Sequence, residues 1–395
     1  MSAIDLTPRA ARAALGGLAV TDDDLAATTR YARAIWSAIV EPGDGSAGAL
    51  IESAGVVESL RLLAAATGGD PPSRISDDFR RGLARWTPRL KPAVVSDALA
   101  MASRAGVRLV TPEDGEWPRS LSDLGDHAPV ALWARGDTGI LRRQPAGVAI
   151  VGARASTAYG DRIAAELATD LGTGGITIVS GAAYGIDGSA HRAALAVEGV
   201  TIALLAGGVE QAYPRGHTRL IDSIAQSGLL LSEAPCGSRP TKWRFLQRNR
   251  LIAAMSDATV VVEAGWRSGS LNTAGHAAAL GRELGAVPGP VTSAASAGCH
   301  RLFREYGAQC ITSADDVREM LGLRSAGAVG SDALDIVDDT ARIFDALSAR
   351  SWRSTDGIAQ RCGMSRESVE AHLGLLLMTG LVERGTQGWR DARRA

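Results

Sequence analysis

Val148-Ala149-Ile150-Val151-Gly152-Ala153-Arg154 is an unbroken apolar run that ends in a glycine and a cation, and a helical stretch from Tyr159 to Leu171 follows it. A run with no polar alternation reads as a strand buried on both faces. The pattern then repeats. Ile176 to Val179, Val200 to Leu205, Leu229 to Leu231, Thr259 to Val262 and Leu284 to Val287 are further β-type runs, with helical stretches such as Thr273 to Gly281 between them. Strands alternating with helices of roughly 10–15 residues predict a parallel sheet between helix layers. The fold class is therefore α/β: an extended Rossmann-like, doubly wound sheet over residues 106–324, whose ligands gather at the carboxyl ends of the strands. Val107 to Val110 predicts a short strand ahead of this core, and Trp117-Pro118 and Ala131 to Arg135 an extended lead-in.

On the amino side, residues 1–105 read as a separate helical domain. Leu25 to Val40 and Ala47 to Ala66 carry apolar residues at helical spacing, punctuated by Gly43, Gly45, Gly68 and Pro71-Pro72. On the carboxyl side, Ser325 to Asp339 is small-residue-rich and then acidic, which predicts a linker. Residues 340–395 predict a winged-helix domain: a helix over Ala341 to Leu347, a helix-turn-helix over Thr355 to Cys362, Gly363 to Ser365 and Arg366 to Thr379, and a small β-wing over Leu381 to Arg390. Glu367 and Glu370 flank Arg366 on the second of these helices, whereas Arg384, Arg390, Arg393 and Arg394 lie in or after the wing. Duplex contact and protein contact are both open for this domain.

The 395 residues fit two to three domains. With 46% hydrophobic and 22% charged residues, global disorder is excluded. The net charge of −1 excludes a bulk polycation, so any nucleic-acid site is a local patch. Only Lys91 and Lys242 are lysines; the other 40 basic residues are arginines. Cys236, Cys299, Cys310 and Cys362 show no C-x-x-C pair, which predicts neither a metal site nor a disulfide framework. Met1 to Ala11 has no apolar core of a signal peptide, and no run of about 18 apolar residues occurs. The expectation is a cytoplasmic protein with no membrane contact and no cofactor.

Three strand ends are suited to anions. Arg154 stands where a dinucleotide-binding G-x-G-x-x-G would place small residues, and two roles are open to it: a forked phosphate clamp, or a structural cap. Ser180-Gly181-Ala182-Ala183-Tyr184-Gly185-Ile186-Asp187 ends the second run; Asp187 is placed to cap the next helix and His191 to pack. Ser268-Gly269-Ser270 precedes a third helix, whose free N–H groups favour negative charge. Glu263, at the end of its strand, has two roles open to it, a general base in an enzyme or an anchor for Arg248 or Arg250 across the cleft, and the second is the expectation. Between Glu233 and Asp257 no acid occurs, and Arg239, Lys242, Arg244, Arg248 and Arg250 interleave with Trp243 and Phe245. Cations for phosphates and flat rings for bases are what a single strand requires, at roughly 1–3 kcal/mol per stacked base. The alternative for this segment is a helix with buried aromatics and a solvated basic face, with the Asn249 amide holding a loop. Several anion cups in a row suit a chain of phosphates better than a single one.

Taken in order, these motifs closely resemble the DprA/Smf (DNA-processing protein A) family. The resemblance runs through V-G-A-R at Val151 to Arg154, S-G-A-A-Y-G-I-D at Ser180 to Asp187, A-G-G-V-E-Q-A-Y-P at Ala206 to Pro214, S-E-A-P at Ser232 to Pro235, F-L-Q-R-N-R-L-I-A at Phe245 to Ala253 and S-G-S-L-N-T-A at Ser268 to Ala274. It implies a single-stranded DNA-binding protein that helps load RecA recombinase in DNA uptake and recombination, acts without catalysis, and dimerises through its Rossmann-like domain. By motif position it implies DNA contact or pocket shaping for Arg154, Lys242, Phe245, Arg248, Asn249 and Ser268-Gly269-Ser270; Ser180, Gly181, Arg244 and Arg250 join them as candidates from the same loops and segment. Three positions depart from the family pattern: Leu246 where proline is common, Gly216-His217, and Gly298-Cys299-His300. Two competing functions are a nucleotide-binding regulatory module and a nucleoside-monophosphate phosphoribohydrolase-like enzyme. The latter's P-G-G-x-G-T-x-x-E is matched only by Ala206-Gly207-Gly208-Val209-Glu210, without the Pro, the further Gly or the Thr.

Overall fold

A computed structural model describes residues 5–18, 23–68, 77–143, 146–323 and 332–392. The chain divides into two compact units, Met1–Leu323 and Arg324–Ala395.

The larger unit is organised by a nine-stranded sheet: β1 (Arg108–Val110), β2 (Leu132–Gly136), β3 (Gly147–Val151), β4 (Thr177–Ser180), β5 (Thr201–Leu204), β6 (Leu229–Ser232), β7 (Ala258–Val261), β8 (Glu283–Ala286) and β9 (Gln309–Cys310). Their order is β1-β2-β6-β5-β4-β3-β7-β8-β9. The seven strands from β6 to β9 across the sheet are parallel; β2 runs antiparallel to β6, and β1 antiparallel to β2. The six apolar runs of the sequence are thus the strands β3 to β8, each within a residue or two of its expected bounds.

Period-2 alternation explains why β3 is apolar throughout. Val148 and Ile150 point into one layer, against Ala164, Leu167 and Leu171 of the helix Ala158–Thr173. Ala149 and Val151 point into the other, with Leu251 and Ile252 of the helix Lys242–Ala254. Both faces are dry, and each fully buried aliphatic side chain contributes about 1.5–3 kcal/mol. The chain winds from β3 through β4 and β5 to β6 on one side, then returns to the other side of β3 as β7. The order therefore reverses at β3, and the crevice at the carboxyl ends of β3 and β7 is where a doubly wound sheet collects ligands.

The amino-terminal helices do not stand apart as a separate core. Trp36 and Trp86 meet edge to face at 5.2 Å, and their cluster continues through Leu99 and Trp133 to Ala203 and Leu230 of the sheet. Ion pairs Arg33–Glu113 (2.7 Å) and Arg244–Glu41 (2.9 Å) fasten the same seam. The Ala47–Ala66 stretch is two helices, Gly45–Ala54 and Val56–Thr67. Gly55 between them has φ +81°, a left-handed conformation that breaks the run and that glycine adopts at little cost.

In the smaller unit the helix Asp332–Ala346 begins inside the stretch expected to be a linker; residues 324–331 lie outside the described residues. Helical continuation there is consistent with the good helix formers Ala333, Leu334 and Ala341. The helices Thr355–Cys362 and Arg366–Met378 follow, joined through Gly363 in the left-handed region, and then a hairpin of β10 (Val382–Gly385) and β11 (Gly388–Asp391). Arg393 and Arg394 fall outside the described residues. Among the described residues, no helix is long and apolar enough to cross a membrane.

Candidate nucleic-acid interface

The loops at the carboxyl ends of β3 and β7 and the start of the Lys242–Ala254 helix enclose a cleft of about 760 Å³. A second recess of about 400 Å³ lies against it and shares Tyr213, Pro240 and Phe245. The shared wall is aromatic: the Phe245 and Tyr213 rings are 5.7 Å apart, and the Arg154 guanidinium lies 4.7 Å from the Phe245 centroid.

The basic helix is built against its own dipole. Thr241 caps it, its hydroxyl accepting from the Arg244 N–H at 3.2 Å. Lys242 then occupies the first helical position and no acid stands in the first turn. A cation at a helix N-terminus is unfavourable within the fold, and the same geometry favours an incoming anion. Arg154, Lys242 and Arg267 line the cleft, and Arg215 and Arg239 the recess; among the described residues none of the five has an ion-pair partner. Elsewhere arginines are matched to acids, as in Arg30–Asp114 and Arg282–Asp123. The one acid in either lining is Asp187, which is buried. A chain of net charge −1 thus keeps unmatched positive charge along one sheet edge.

Arg248 departs from the expected phosphate contact. It is only 6% exposed; its Nη1 donates to the carbonyls of Gly181 (2.7 Å) and Leu204, and its Nε to Asn249 Oδ1 (3.2 Å). Burial, with a smaller push from Arg154, lowers its pKa to about 10, while Asp187 acts in the opposite direction. It is a buried cation tying the β4 and β5 ends to the basic helix. Gly181 explains why the site has no side chain there: a Cβ would overlap the Arg248 guanidinium.

Asp187 does not cap its helix, which starts at Ile186 with Gly185 in the cap position. Its carboxylate instead turns back onto the loop, accepting from the Gly181 N–H (3.1 Å) and the Ala183 N–H (3.4 Å). Burial raises its pKa, against the opposing charge of Arg248. His191 packs beneath, fully buried with Nδ1 2.7 Å from Thr201 Oγ1, and burial, reinforced by Arg248 and His217, pushes its pKa down to about 3.

Three more candidates are engaged inside the fold. The Ser180 hydroxyl is fully buried and donates to the Ile150 carbonyl at 2.7 Å, stitching β4 to β3. Arg250 is buried in a two-pronged pair with Glu233 (2.8 and 2.9 Å) and donates to the His127 carbonyl. Arg244 is paired with Glu41. Glu263 reaches neither Arg248 nor Arg250. It accepts from the Thr157 N–H (2.9 Å) and hydroxyl (2.6 Å), and Thr157 in turn caps the helix Ala158–Thr173 by accepting from the Gly160 N–H.

Asn249 lies between the two roles. It lines the cleft, and its amide donates to the Gly269 carbonyl and to Asn272 Oδ1, both at 3.3 Å, which fixes the Ser268-Gly269-Ser270 loop. The hydroxyls of Ser268 and Ser270 are 2.7 Å apart at that edge. The structure therefore gathers Arg154, Lys242, Phe245, Asn249 and Ser268 to Ser270 around one cleft, sets Gly181 in the adjoining recess, and places Ser180, Arg244 and Arg250 behind the walls. Tyr213, Arg215 and Arg267 carry no motif that marks them as site residues in the sequence. Their signal was positional: each lies in a loop leaving the carboxyl end of a parallel strand.

A family model described as DNA recombination-mediator protein A matches residues 108–322. A protein of Mycobacterium tuberculosis assigned as a DNA processing protein DprA is 42% identical over 388 residues, covering 92% of this chain and 95% of that one. The X-ray structure of DNA processing protein A from Streptococcus pneumoniae superposes with TM-score 0.60 at 31% identity, covering 73% of this chain and 97% of that chain. A structure of DNA processing protein A from Helicobacter pylori, described for its single-stranded DNA binding mode, superposes with TM-score 0.50 at 33% identity, covering 55% and 97%.

Proposed function

We propose that this chain, which belongs to the DprA/Smf family of DNA recombination-mediator proteins, binds single-stranded DNA along the carboxyl edge of its parallel sheet. The observation that carries this is the row of unpaired cations, Arg154, Lys242, Arg267, Arg215 and Arg239, set around the Phe245–Tyr213 wall. Phosphates are neutralised by the cations, and unpaired bases enter the two recesses against the rings. A duplex hides its base faces and cannot use the wall. Gly181, Asn249 and Ser268-Gly269-Ser270 shape the backbone track; Ser180, Arg244, Arg248 and Arg250 hold the loops that form it.

Two further parts of the proposal rest on family membership: presentation of the bound strand to RecA recombinase in transformation and recombination, and a homodimer formed through the Rossmann-like domain. Recombinase-filament assembly with and without the protein tests the first, and sedimentation tests the second. The smaller unit fits a winged helix whose third helix, with Arg366 paired to both Asp356 and Glu370, offers little charge to a phosphate backbone. As for the enzymatic alternative, Glu263 accepts from Thr157, Glu233 is paired with Arg250, and Glu210 Oε1 accepts from the Gly237 N–H, so each of these glutamates has a structural partner.

The test is fluorescence anisotropy with labelled oligo-dT of about 20 nucleotides across a salt series, with duplex and AMP as competitors. Tight, salt-sensitive binding displaced by neither competitor is expected. Lys242→Ala should weaken it and flatten the log K against log salt slope by about 0.7, the single-strand value for one phosphate. Displacement by AMP, with no strand binding, would overturn the proposal in favour of a small-molecule site.

A further inference from the structure

The cleft has an aromatic at its mouth that the track just described leaves unused. Trp266 and Arg267 are the two central residues of a turn closed by the Ser268 N–H on the Gly265 carbonyl at 3.0 Å. Gly265 and Arg267, its neighbours on either side, line the cleft, yet Trp266 itself is 54% exposed. Its indole N–H has no protein partner among the described residues. A large ring standing half in water on a turn tip contributes little to a core. The turn is nevertheless held firmly. The Gly298 N–H donates to the Ala264 carbonyl at 2.6 Å, the Ala264 N–H donates to the Ala295 carbonyl at 2.8 Å, and Asn249 grips Gly269 behind. The Arg301 guanidinium lies 5.5 Å from the Trp266 ring centroid, and Glu305 pairs with that arginine at 2.6 Å.

An exposed, cation-backed indole on a hydrogen-bonded turn, beside an arginine with no ion-pair partner among the described residues, is a base platform with a phosphate contact next to it. Resting on the single-strand reading of the cleft, we propose that Trp266 is a second stacking site, which takes an unpaired base of the strand where it leaves the cleft past the Ser268-Gly269-Ser270 loop. Phe245 then serves bases inside the cleft and Trp266 a base outside it. Strands long enough to reach the turn gain affinity that shorter ones lack.

The experiment compares wild type, Trp266→Ala, Trp266→Phe and Lys242→Ala by anisotropy with oligo-dT of about 20 nucleotides, and by competition with oligo-dT of about four. Trp266→Ala is expected to bind the long strand on the order of tenfold more weakly, the equivalent of one stacked base. Its salt slope is expected to be unchanged, because stacking releases no counterion. Trp266→Phe should retain most of the affinity. The short strand should bind wild type and Trp266→Ala alike, while Lys242→Ala weakens both lengths. Wild-type binding of the long strand with no loss in Trp266→Ala would overturn the second site and leave the cleft reading intact. Equal losses on both lengths would place the ring inside the cleft's footprint and overturn it too. Failure of wild type to bind either length would overturn the single-strand reading and this site together.

Discussion

Replacing Arg248 by methionine separates a residue that builds the track from one that contacts the strand. Arg248 is the counter-charge of buried Asp187 and donates to two strand-end carbonyls and to Asn249. Methionine fills much of the volume but leaves buried Asp187 without the cation that opposes the rise of its pKa, and leaves the Gly181 and Leu204 carbonyls short of a donor. Two buried carbonyls left without their donor, at about 1–3 kcal/mol each, together with the lost attraction to Asp187, put the cost at about 3–5 kcal/mol. That is a large share of the roughly 5–15 kcal/mol that holds a domain folded. Urea unfolding should therefore show Arg248→Met losing about 3–5 kcal/mol. Asp187→Asn in the same chain should return part of that loss, with a coupling of about 1–3 kcal/mol. Binding of oligo-dT should fall because the Gly181 and Asn249 loops are released, but its salt slope should stay at the wild-type value, since a side chain that is 6% exposed neutralises no phosphate. A stability change below about 1 kcal/mol, or a slope flattened as much as in Lys242→Ala, would refute the assignment.

Two other outcomes follow from buried groups on the same edge. His191 has a folded pKa of about 3 against 6.5 in the unfolded chain, so the fold keeps it neutral while the unfolded state gains a proton. Its stabilising contribution is complete above pH 6.5 and is lost as pH falls toward 3, by up to about 1.4 kcal/mol per pH unit; His191→Gln should flatten the pH dependence of urea unfolding, and identical slopes in the two proteins would count against it. Glu263→Ala should cost about 1–3 kcal/mol, because the Thr157 N–H and hydroxyl lose the buried carboxylate that accepts from both at the start of the Ala158–Thr173 helix. It should also weaken oligo-dT binding through the adjoining Arg154 loop, and an unchanged unfolding midpoint would show that water replaces the carboxylate without penalty.

The sequence by itself determined the parallel sheet, its strand-end loops and the family, because buried strands are written as apolar runs and the loop glycines and cations sit at fixed offsets from them. Lys242, Phe245, Arg154 and Ser268 to Ser270 were legible as one site for the same reason: each follows the end of a strand or opens a helix. Local composition did not show which cation in Arg239 to Arg250 faces water. The helix enters at the rim of the cleft and runs inward, so Lys242 on its first turn is exposed while Arg248 and Arg250, about two turns further in, are buried. The acids that meet inward cations are distant in sequence. Arg250 finds Glu233 and Arg244 finds Glu41, whereas Glu263, expected to meet Arg248 or Arg250, faces Thr157 across the β3–β7 boundary. Tyr213 reached the Phe245 wall, and Trp266 the mouth of the cleft, only once β3, β5 and β7 lay in one sheet. Charge type and spacing are local and can be read along the chain; pairing and exposure depend on which strands become neighbours, and only the tertiary structure decided that.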